Sequence, residues 1–303
     1  MFFCCNSIKG QFIILKPKPA TMWANYHSHS NYCDGKGQLS DYVAAAKTQH
    51  VKSLGFSSHA PLPFPCEWSM RKEELPQYFK DIEQLRMLHP ELEILRSLEI
   101  DFVPGIVSPF EFKDELDYLL GSIHFVDRFA DGTHWQIDGT NAQFEKGFKE
   151  IFNNDIKAFV VRYYELTREM IFASAPDIIG HLDKIKIHNV DGKLFDENDQ
   201  WYKEEVLKTI KLIDQAELIV EVNTRGIYQK KSQTTYPGPW ILEQLQQRNM
   251  PVVLSSDAHH PDDLTNTFPE TAKMLSNLGF KTISMFSNGK WIQVPFSKAG
   301  VSI

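Results

Sequence analysis

Two histidines separated by a single residue form the strongest local signal for chemistry in this sequence. His27 and His29 occur in the segment HSHSNYCDG, at the end of a run typical of a β-strand, and Asp34 follows in the adjoining loop. Because residues i and i+2 of a strand face the same side, both imidazoles can converge on one metal ion. On its own, this pattern fits two surface histidines equally well.

The pattern gains weight because imidazole or carboxylate side chains stand at the carboxyl end of nearly every other predicted strand. The further candidates are His59, Glu99, His124, His181, Asp257 and His259. In parallel barrels, this end of the strands is where active sites are built. We therefore expect these side chains to meet His27, His29 and Asp34 at one rim.

The types of these side chains indicate which ions they would bind. The set offers nitrogen and oxygen atoms and no thiolate, which favours Mn, Fe or Zn in a mixed imidazole and carboxylate shell over a structural zinc site. A single catalytic ion needs about three protein ligands. The nine candidates are therefore enough for two or three divalent ions that share a bridging carboxylate.

Strands that alternate with helices must position these residues. The β-rich runs occupy residues 24–27, 53–57, 94–100, 118–123, 178–181, 219–223 and 252–256. The helical patterns occupy residues 39–50, 72–88, 159–173, 201–215, 239–249 and 270–278. Seven strands alternating with helices indicate an α/β fold, a TIM-like barrel. The segment 127–140, rich in Asp, Gly and Thr, is too long for a tight connection and is predicted to be a loop over the site.

The sequence contains no linker that would divide it, so we expect a single domain over residues 22–303. Met22 lies just before the first motif, and residues 1–21 contain two short apolar patches broken by polar residues. Neither patch is long enough to span a bilayer, so we expect no association with a membrane. We interpret residues 1–21 as an N-terminal appendage or a misplaced start.

Charge and cysteine content argue against several other classes of function. The formal net charge is −7, the isoelectric point is near 5.9, and no run of Lys and Arg could follow a phosphate backbone. Extended nucleic acid is therefore not an expected partner. The four cysteines lack CxxC spacing, which predicts neither a zinc knuckle nor a disulfide framework and favours a reducing cytoplasm.

Seven motifs in a fixed order make the sequence resemble a known family. They are HSHSNYCDG, FSSHAP, LEIDFVPG, GSIH, GHLDKI, EVNTRG and SSDAH, between His27 and His259. This succession is similar to the polymerase and histidinol phosphatase (PHP) family, and within it to the stand-alone histidinol-phosphate phosphatases. The resemblance implies a distorted (β/α)7 barrel with a trinuclear metal centre. It also implies hydrolysis of L-histidinol phosphate, a small phosphate monoester, to L-histidinol and phosphate in histidine biosynthesis.

The resemblance further implies how the ligands are shared among the ions. The first ion would be held by His27, His29, Glu99 and Asp257. Glu99 would bridge to a second ion, held also by His124 and His181. A third ion would be held by His59, His259 and Asp34, and some relatives carry a histidine near the position of Asp34.

A phosphate ester also needs cationic donors for its non-bridging oxygens. Arg225 follows the sixth predicted strand and would reach over the same rim, while Arg162, on a predicted helix, is a second candidate. We expect a hydroxide held between two ions to attack phosphorus, because bound metals lower the pKa of water. Charge that develops on the phosphoryl oxygens would face the ions and Arg225. A metal-bound water or a carboxylate such as Asp257 would protonate the leaving alkoxide.

Three other interpretations stay open at this point. The same metal scaffold could serve a phosphoesterase that acts on another small phosphate ester, a nucleotide or phosphotyrosine. An amidohydrolase also begins with HxH on a barrel strand, but it usually bridges its metals through a modified lysine, and here Glu99 takes that place. A non-catalytic binding module would have lost ligands, whereas every expected position holds a competent side chain.

Overall fold

The computed structural model describes residues 21–302, in which strands and helices alternate along the chain. The strands are β1 (Thr21–Asn25), β2 (Val51–Phe56), β3 (Glu93–Arg96), β4 (Glu99–Asp101), β5 (Leu120–Ser122), β6 (Phe125–Arg128), β7 (His134–Gln136), β8 (Ile178–Ile179), β9 (Ile219–Asn223), β10 (Val252–Ser255), β11 (Thr282–Ser287), β12 (Lys290–Ser297) and β13 (Gly300–Ser302). The α-helices are α1 (Leu39–Thr48), α2 (Leu75–Leu88), α3 (Asn141–Phe152), α4 (Ile156–Ser174), α5 (Gln200–Gln215), α6 (Arg225–Tyr228), α7 (Pro239–Gln247) and α8 (Phe268–Asn277). Within this range, no helix combines the length and apolar character needed to cross a membrane. The predicted appendage at 1–21 lies outside the described residues, apart from Thr21 in β1.

Seven parallel strand positions within residues 21–302 curve around a common axis. β1, β2 and β3 pair in that order, and β4, β5, β8, β9 and β10 form a second parallel run. Parallel bridges from Ser28 to Ala258 and from His59 to Glu99 join the two runs at both seams. β3 and β4 are two parts of one strand, separated by residues 97 and 98. The expected distorted (β/α)7 barrel is therefore confirmed.

The barrel strands are buried because helices cover their outer faces. All residues of β9 and β10 are buried, as expected for parallel strands with both faces covered. The longest helix, α4, packs against α5 and buries Phe159, Tyr163 and Met170 at helical spacing. Its first turn is stabilised by Asp155, whose side chain accepts a hydrogen bond from the backbone of Ala158 at 3.0 Å.

The segment 127–140 differs from the irregular loop that we predicted. β6 and β7 form an antiparallel hairpin, and Gly132 adopts a positive φ of 89° in its turn. Trp135 points into the core, whereas its neighbours His134 and Gln136 are only partly buried. This alternation is too short to stand out among Asp, Gly and Thr, which explains the wrong prediction.

The last three strands form an antiparallel meander that the sequence patterns did not predict. β11 pairs with β12, β12 with β13, and β13 with the start of β1. The backbone N–H of Phe286 in β11 donates a hydrogen bond to the hydroxyl of Tyr26, which packs against the rings of Tyr118 and Trp291. The meander thus contributes to the aromatic core beside the barrel.

Candidate metal centre

The nine predicted donors lie together at the carboxyl ends of the parallel strands. Seven of them line a pocket of about 200 Å³: Asp34, His59, Glu99, His124, His181, Asp257 and His259. The other two, His27 and His29, lie fully buried within the same cluster. Residues from six separate parts of the chain therefore meet at one rim, as the alternation of strands and helices predicts.

One group of donors surrounds Oε2, one of the two carboxylate oxygens of Glu99. This oxygen lies 3.2 Å from Nε2 of His27 and 3.4 Å from Nε2 of His29. Oδ1 of Asp257 lies 3.3 Å from the same nitrogen of His29 and 3.7 Å from that of His27. Two imidazoles and two carboxylates thus point at one small volume, the geometry that a single divalent ion requires.

A second group surrounds the other oxygen of Glu99. Its Oε1 lies 2.8 Å from Nε2 of His181 and 3.6 Å from Nε2 of His124. The hydroxyl of Ser122 donates a hydrogen bond to this oxygen at 2.7 Å. Nδ1 of His59 also lies 3.1 Å from Oε2 of Glu99. Because its two oxygens face different sets of imidazoles, Glu99 is placed where a bridging ligand would stand.

A third group lies nearest to solvent. Oδ2 of Asp34 is 3.1 Å from Nε2 of His259, and its Oδ1 is 3.8 Å from Nε2 of His59. His29 completes this group through Nδ1, which lies 3.8 Å from Oδ1 of Asp34, and its ring stacks on that of His259 at 4.0 Å between ring centroids. The side chain of Asp34 is 35% exposed, so this is the most open of the three groups.

The chemistry of these donors fits divalent metal ions. Nε2 of His27, Nε2 of His29 and Nδ1 of His59 are buried and have no hydrogen-bond partner among the described residues. An unpartnered buried nitrogen is costly unless something occupies its lone pair. Burial lowers the pKa of His29 to about 4 and holds that of His59 well below its ordinary value, so both rings are neutral and able to bind a cation.

Carboxylates in the cluster create a demand for positive charge. Burial opposes protonation of His27, yet the carboxylates of Glu221, Asp257 and Glu99 outweigh it and raise its pKa well above the ordinary value. Burial also opposes ionisation of Asp257, but His27 and Arg225 hold its pKa well below the ordinary value. The carboxylate of Asp257 is therefore charged at neutral pH, which suits a metal ligand.

Two buried carboxylates behind the cluster were missed by sequence reasoning. Oε1 of Glu221 lies 2.6 Å from Nδ1 of His27, and its Oε2 accepts a hydrogen bond from the backbone of His181 at 2.7 Å. Oδ1 of Asp101 lies 3.0 Å from Nδ1 of His124. Both contacts fix which ring nitrogen faces the cluster. An acidic residue inside an otherwise apolar strand was the available signal for Glu221.

Cationic side chains line the same pocket. Nη1 of Arg225, at the start of α6, donates to the carbonyl oxygen of Asp257 at 2.7 Å and also contacts Nδ1 of His259. Nζ of Lys184 lies 2.9 Å from Asp138 and 3.1 Å from Nε2 of His124. Lys231 is a third, more exposed lining residue. Sequence reasoning found only Arg225, although Lys184 lies within the motif GHLDKI, because no local pattern shows that either lysine faces the pocket.

Arg162, the second arginine candidate, lies elsewhere. It belongs to α4, where its Nη1 is 2.7 Å from Oε1 of Glu169 and 3.8 Å from Oε2 of Glu165. It is not among the residues that line the pocket. The structure therefore does not bring Arg162 to the metal ligands, and its helix-surface ion pairs account for it.

Comparison with known proteins gives a consistent family relationship. The sequence profile of the PHP domain matches residues 25–225. A protein of Deinococcus radiodurans named "Probable histidinol-phosphatase" is 28% identical over 265 residues, covering 85% of this chain and 94% of that protein. The histidinol-phosphatase of Bacillus subtilis is 26% identical over 266 residues, covering 78% of this chain and 94% of that protein.

A solved structure shares the fold. The histidinol phosphate phosphatase of Lactococcus lactis, crystallised with zinc, L-histidinol and phosphate, superimposes with a TM-score of 0.67 at 20% sequence identity. The superposition covers 89% of this chain and 98% of that protein. At this level of identity the likeness establishes the distorted barrel.

Proposed function

The chain belongs to the PHP domain family, and on that basis we propose that it is a metal-dependent phosphatase that hydrolyses L-histidinol phosphate to L-histidinol and phosphate in histidine biosynthesis. The observation that carries the proposal is the meeting, in one pocket, of the nitrogen and oxygen donor cluster with Arg225, Lys184 and Lys231. The cluster suits divalent cations, and the cationic side chains suit the oxygens of a phosphoryl group. Relatives named for this activity align over most of their length, which favours this ester.

We assign the nine donors to two or three divalent ions, Mn, Fe or Zn. The first ion would take His27, His29, Glu99 and Asp257, the second Glu99, His124 and His181, and the third Asp34, His59 and His259. When bound, such ions lower the pKa of water enough to supply a nucleophile at neutral pH, and they neutralise phosphoryl oxygens. Glu221 and Asp101 would hold His27 and His124 in the orientation that binding needs.

The cationic side chains would bind the phosphoryl group and stabilise the charge that grows on it. Nη1 of Arg225 is held by the backbone carbonyl of Asp257 and by His259, which fixes the guanidinium beside the pocket, where its other N–H groups would donate to phosphoryl oxygens. Lys184 is only 12% exposed, so its attraction to a phosphate dianion is weakly screened by water. Asp257, held as a carboxylate, is better suited to bind a cation than to donate a proton.

A panel of esters tests this assignment. Protein loaded with Mn or Zn would be given L-histidinol phosphate, phenyl phosphate, phosphotyrosine, a mononucleotide and a chromogenic phosphodiester. We expect the highest kcat/KM for L-histidinol phosphate. Faster hydrolysis of another monoester would replace the substrate while keeping the phosphatase chemistry, and a preference for the diester would indicate a phosphodiesterase of the same family.

A further inference from the structure

The pocket that holds the donor cluster is small for a whole amino-alcohol ester. Its volume is about 200 Å³, whereas sites for small ligands commonly occupy about 300–1,000 Å³. Metal ions and a phosphoryl group would fill most of that space. The remainder of the ester, which becomes the leaving alcohol, must therefore extend into a neighbouring part of the surface.

Two clefts adjoin the pocket, each with a volume of about 570 Å³. The first, which we call the lysine cleft, shares Lys231 with the pocket and is lined also by Lys186 and Lys230. The second, the aromatic cleft, shares Trp68 and Gln136 with the pocket. Its other aromatic residues are Phe64, Phe125 and His134.

Trp68 forms a wall that belongs to both the donor cluster and the aromatic cleft. Its ring lies 4.3 Å from that of His59 and is stacked on Phe125 at 5.6 Å, between ring centroids. Its Nε1 donates a hydrogen bond to Oε1 of Gln136 at 2.7 Å, which ties the loop after β2 to the hairpin of β6 and β7. A ligand leaving the metal ligands along this wall would pass directly into the aromatic cleft.

The aromatic cleft differs from the lysine cleft in charge. The charged residues that line it, among those described, are the acidic Glu67 and Asp131, while burial keeps the pKa of His134 below its ordinary value. Phe64 stacks on His134 at 4.1 Å and presents a flat apolar surface. Glu67 is exposed and forms no ion pair or hydrogen bond among residues 21–302, so its carboxylate is free for a ligand.

We propose that the leaving alcohol of the substrate binds in the aromatic cleft, with its ring against Phe64 and Trp68 and its cationic group near Glu67. This inference rests on the proposed function, and it adds which surface distinguishes the substrate from other phosphate monoesters. Aromatic rings favour a flat partner, and acidic side chains favour a cationic one. The lysine cleft is lined by three lysines and two acidic residues, Asp191 and Glu197, so its net positive charge makes it the less favourable surface for the same cationic group.

Substitutions at Glu67 test the proposal because this side chain is exposed and contacts no metal ligand. Glu67→Gln should lower kcat/KM for L-histidinol phosphate about threefold to fivefold, mainly by raising KM, and Glu67→Lys should lower it roughly tenfold or more. Hydrolysis of phenyl phosphate, whose leaving group is uncharged, should change less than about twofold. Lys230→Gln, an exposed single-charge change in the lysine cleft, is the matched control and should leave the ratio of the two rates unchanged.

Binding of the product provides a measurement that does not depend on turnover. L-histidinol titrated into wild-type protein by calorimetry, in the presence of a chelator, should bind more tightly than to Glu67→Lys or Phe64→Leu. In the kinetic experiment, the proposal would be overturned if the ratio of kcat/KM for L-histidinol phosphate to that for phenyl phosphate changed in Lys230→Gln but not in the Glu67 variants. It would also be overturned if this ratio changed in none of these variants.

The outcome can be separated from that of the proposed function. If another ester proves to be the preferred substrate, O-phosphoethanolamine, a cationic monoester, can be compared with phenyl phosphate in the same variants. A loss of that selectivity in Glu67→Lys would support the cleft even though the substrate was misassigned. Preserved selectivity would reject the cleft whatever the substrate.

Discussion

A buried carboxylate stands behind each of two deeply placed histidines, and it determines what their rings can do. Contact with Glu221 through Nδ1 directs Nε2 of His27 toward Glu99 and Asp257. Contact with Asp101 through Nδ1 likewise directs Nε2 of His124 toward Glu99. A carboxylate in this position also makes the imidazole a stronger ligand. The donors that touch an ion would therefore depend on residues that do not.

Glu221→Gln tests this dependence. The amide has nearly the same shape but lacks the charge, so we expect the affinity for Mn or Zn to fall about 10- to 100-fold, measured by competition with a chelator. Glu205→Gln is the control, because Glu205 is also buried but pairs with Arg168 and Lys208 on the helical layer. That variant should alter stability and leave metal affinity unchanged. Equal affinities in wild type and Glu221→Gln would remove Glu221 from the centre.

Arg225 and Arg162 allow a direct comparison of two arginines that differ in location. Removal of Arg225 deletes charged hydrogen bonds at the pocket, and Arg225→Ala should lower kcat/KM about 10- to 100-fold. Arg162→Ala removes only partly exposed ion pairs with Glu169 and Glu165 and should change kcat/KM less than about twofold. Steady-state kinetics with Mn-loaded protein measures both. A larger loss for Arg162→Ala would place the phosphate site elsewhere.

At the level of elements, the barrel strands were predictable because each falls within a short run of the sequence that is rich in residues favouring strands. The predicted strand at 219–223 coincides with β9, all of whose residues are buried. The hairpin and the C-terminal meander were not predictable from their own sequences. Most residues of β12 are exposed or partly exposed, and the strand contains Pro295, so its conformation depends on pairing with β11.

The packing of α3 against the hairpin is decided by Gly147. A methyl group added there would clash with the ring of Trp135, which is itself packed among Phe144, Phe152 and Phe159. The ring is buried, so a shift away from the added methyl group would disturb these aromatic contacts. Glycine is therefore required at this helix position by contact with the hairpin, in spite of its low helix propensity.

Gly147→Ala should consequently destabilise the protein. Overpacking of this kind costs about 1–3 kcal/mol, which exceeds the gain of about 0.5–1 kcal/mol from better helix propensity. Urea unfolding measures the free energy of unfolding. Lys149→Ala, an exposed change on the same helix, should shift it by less than about 0.5 kcal/mol. A more stable Gly147→Ala protein would show that the hairpin can move away from α3.

On the scale of the whole molecule, the grouping of the candidate ligands was predictable because these residues follow strands whose ends the barrel brings together. His27, Glu99, His181 and Asp257 are far apart in sequence, yet the parallel arrangement places them at one rim. Glu221, Asp101 and Lys184 were missed since their roles depend on distances across the barrel, which no local spacing reveals. Candidate metal ligands are thus easier to predict from the sequence than the residues that hold those ligands in position.

The same arrangement concentrates carboxylates at the carboxyl end of the barrel. Glu99, Asp257, Glu221 and Asp101 are all almost fully buried around the histidines, and their repulsion is relieved when a cation binds. Because the donors belong to both parallel runs of the sheet, an ion would also join the two seams, at Ser28 with Ala258 and at His59 with Glu99. Metal binding should therefore stabilise the barrel as a unit.

Removal of metal should lower the stability of the entire fold, because an ion that binds only the native state adds free energy to it. Saturation at about 100 times the dissociation constant contributes about 2.7 kcal/mol per site. We expect chelator-treated protein to unfold at lower urea concentration than Mn-loaded protein, in a single transition that far-ultraviolet circular dichroism and tryptophan fluorescence report together. Arg225→Ala should retain this difference since it removes no ligand, whereas Glu99→Gln should lose most of it. Coincident unfolding curves with and without metal would mean that the nine donors do not act as one centre.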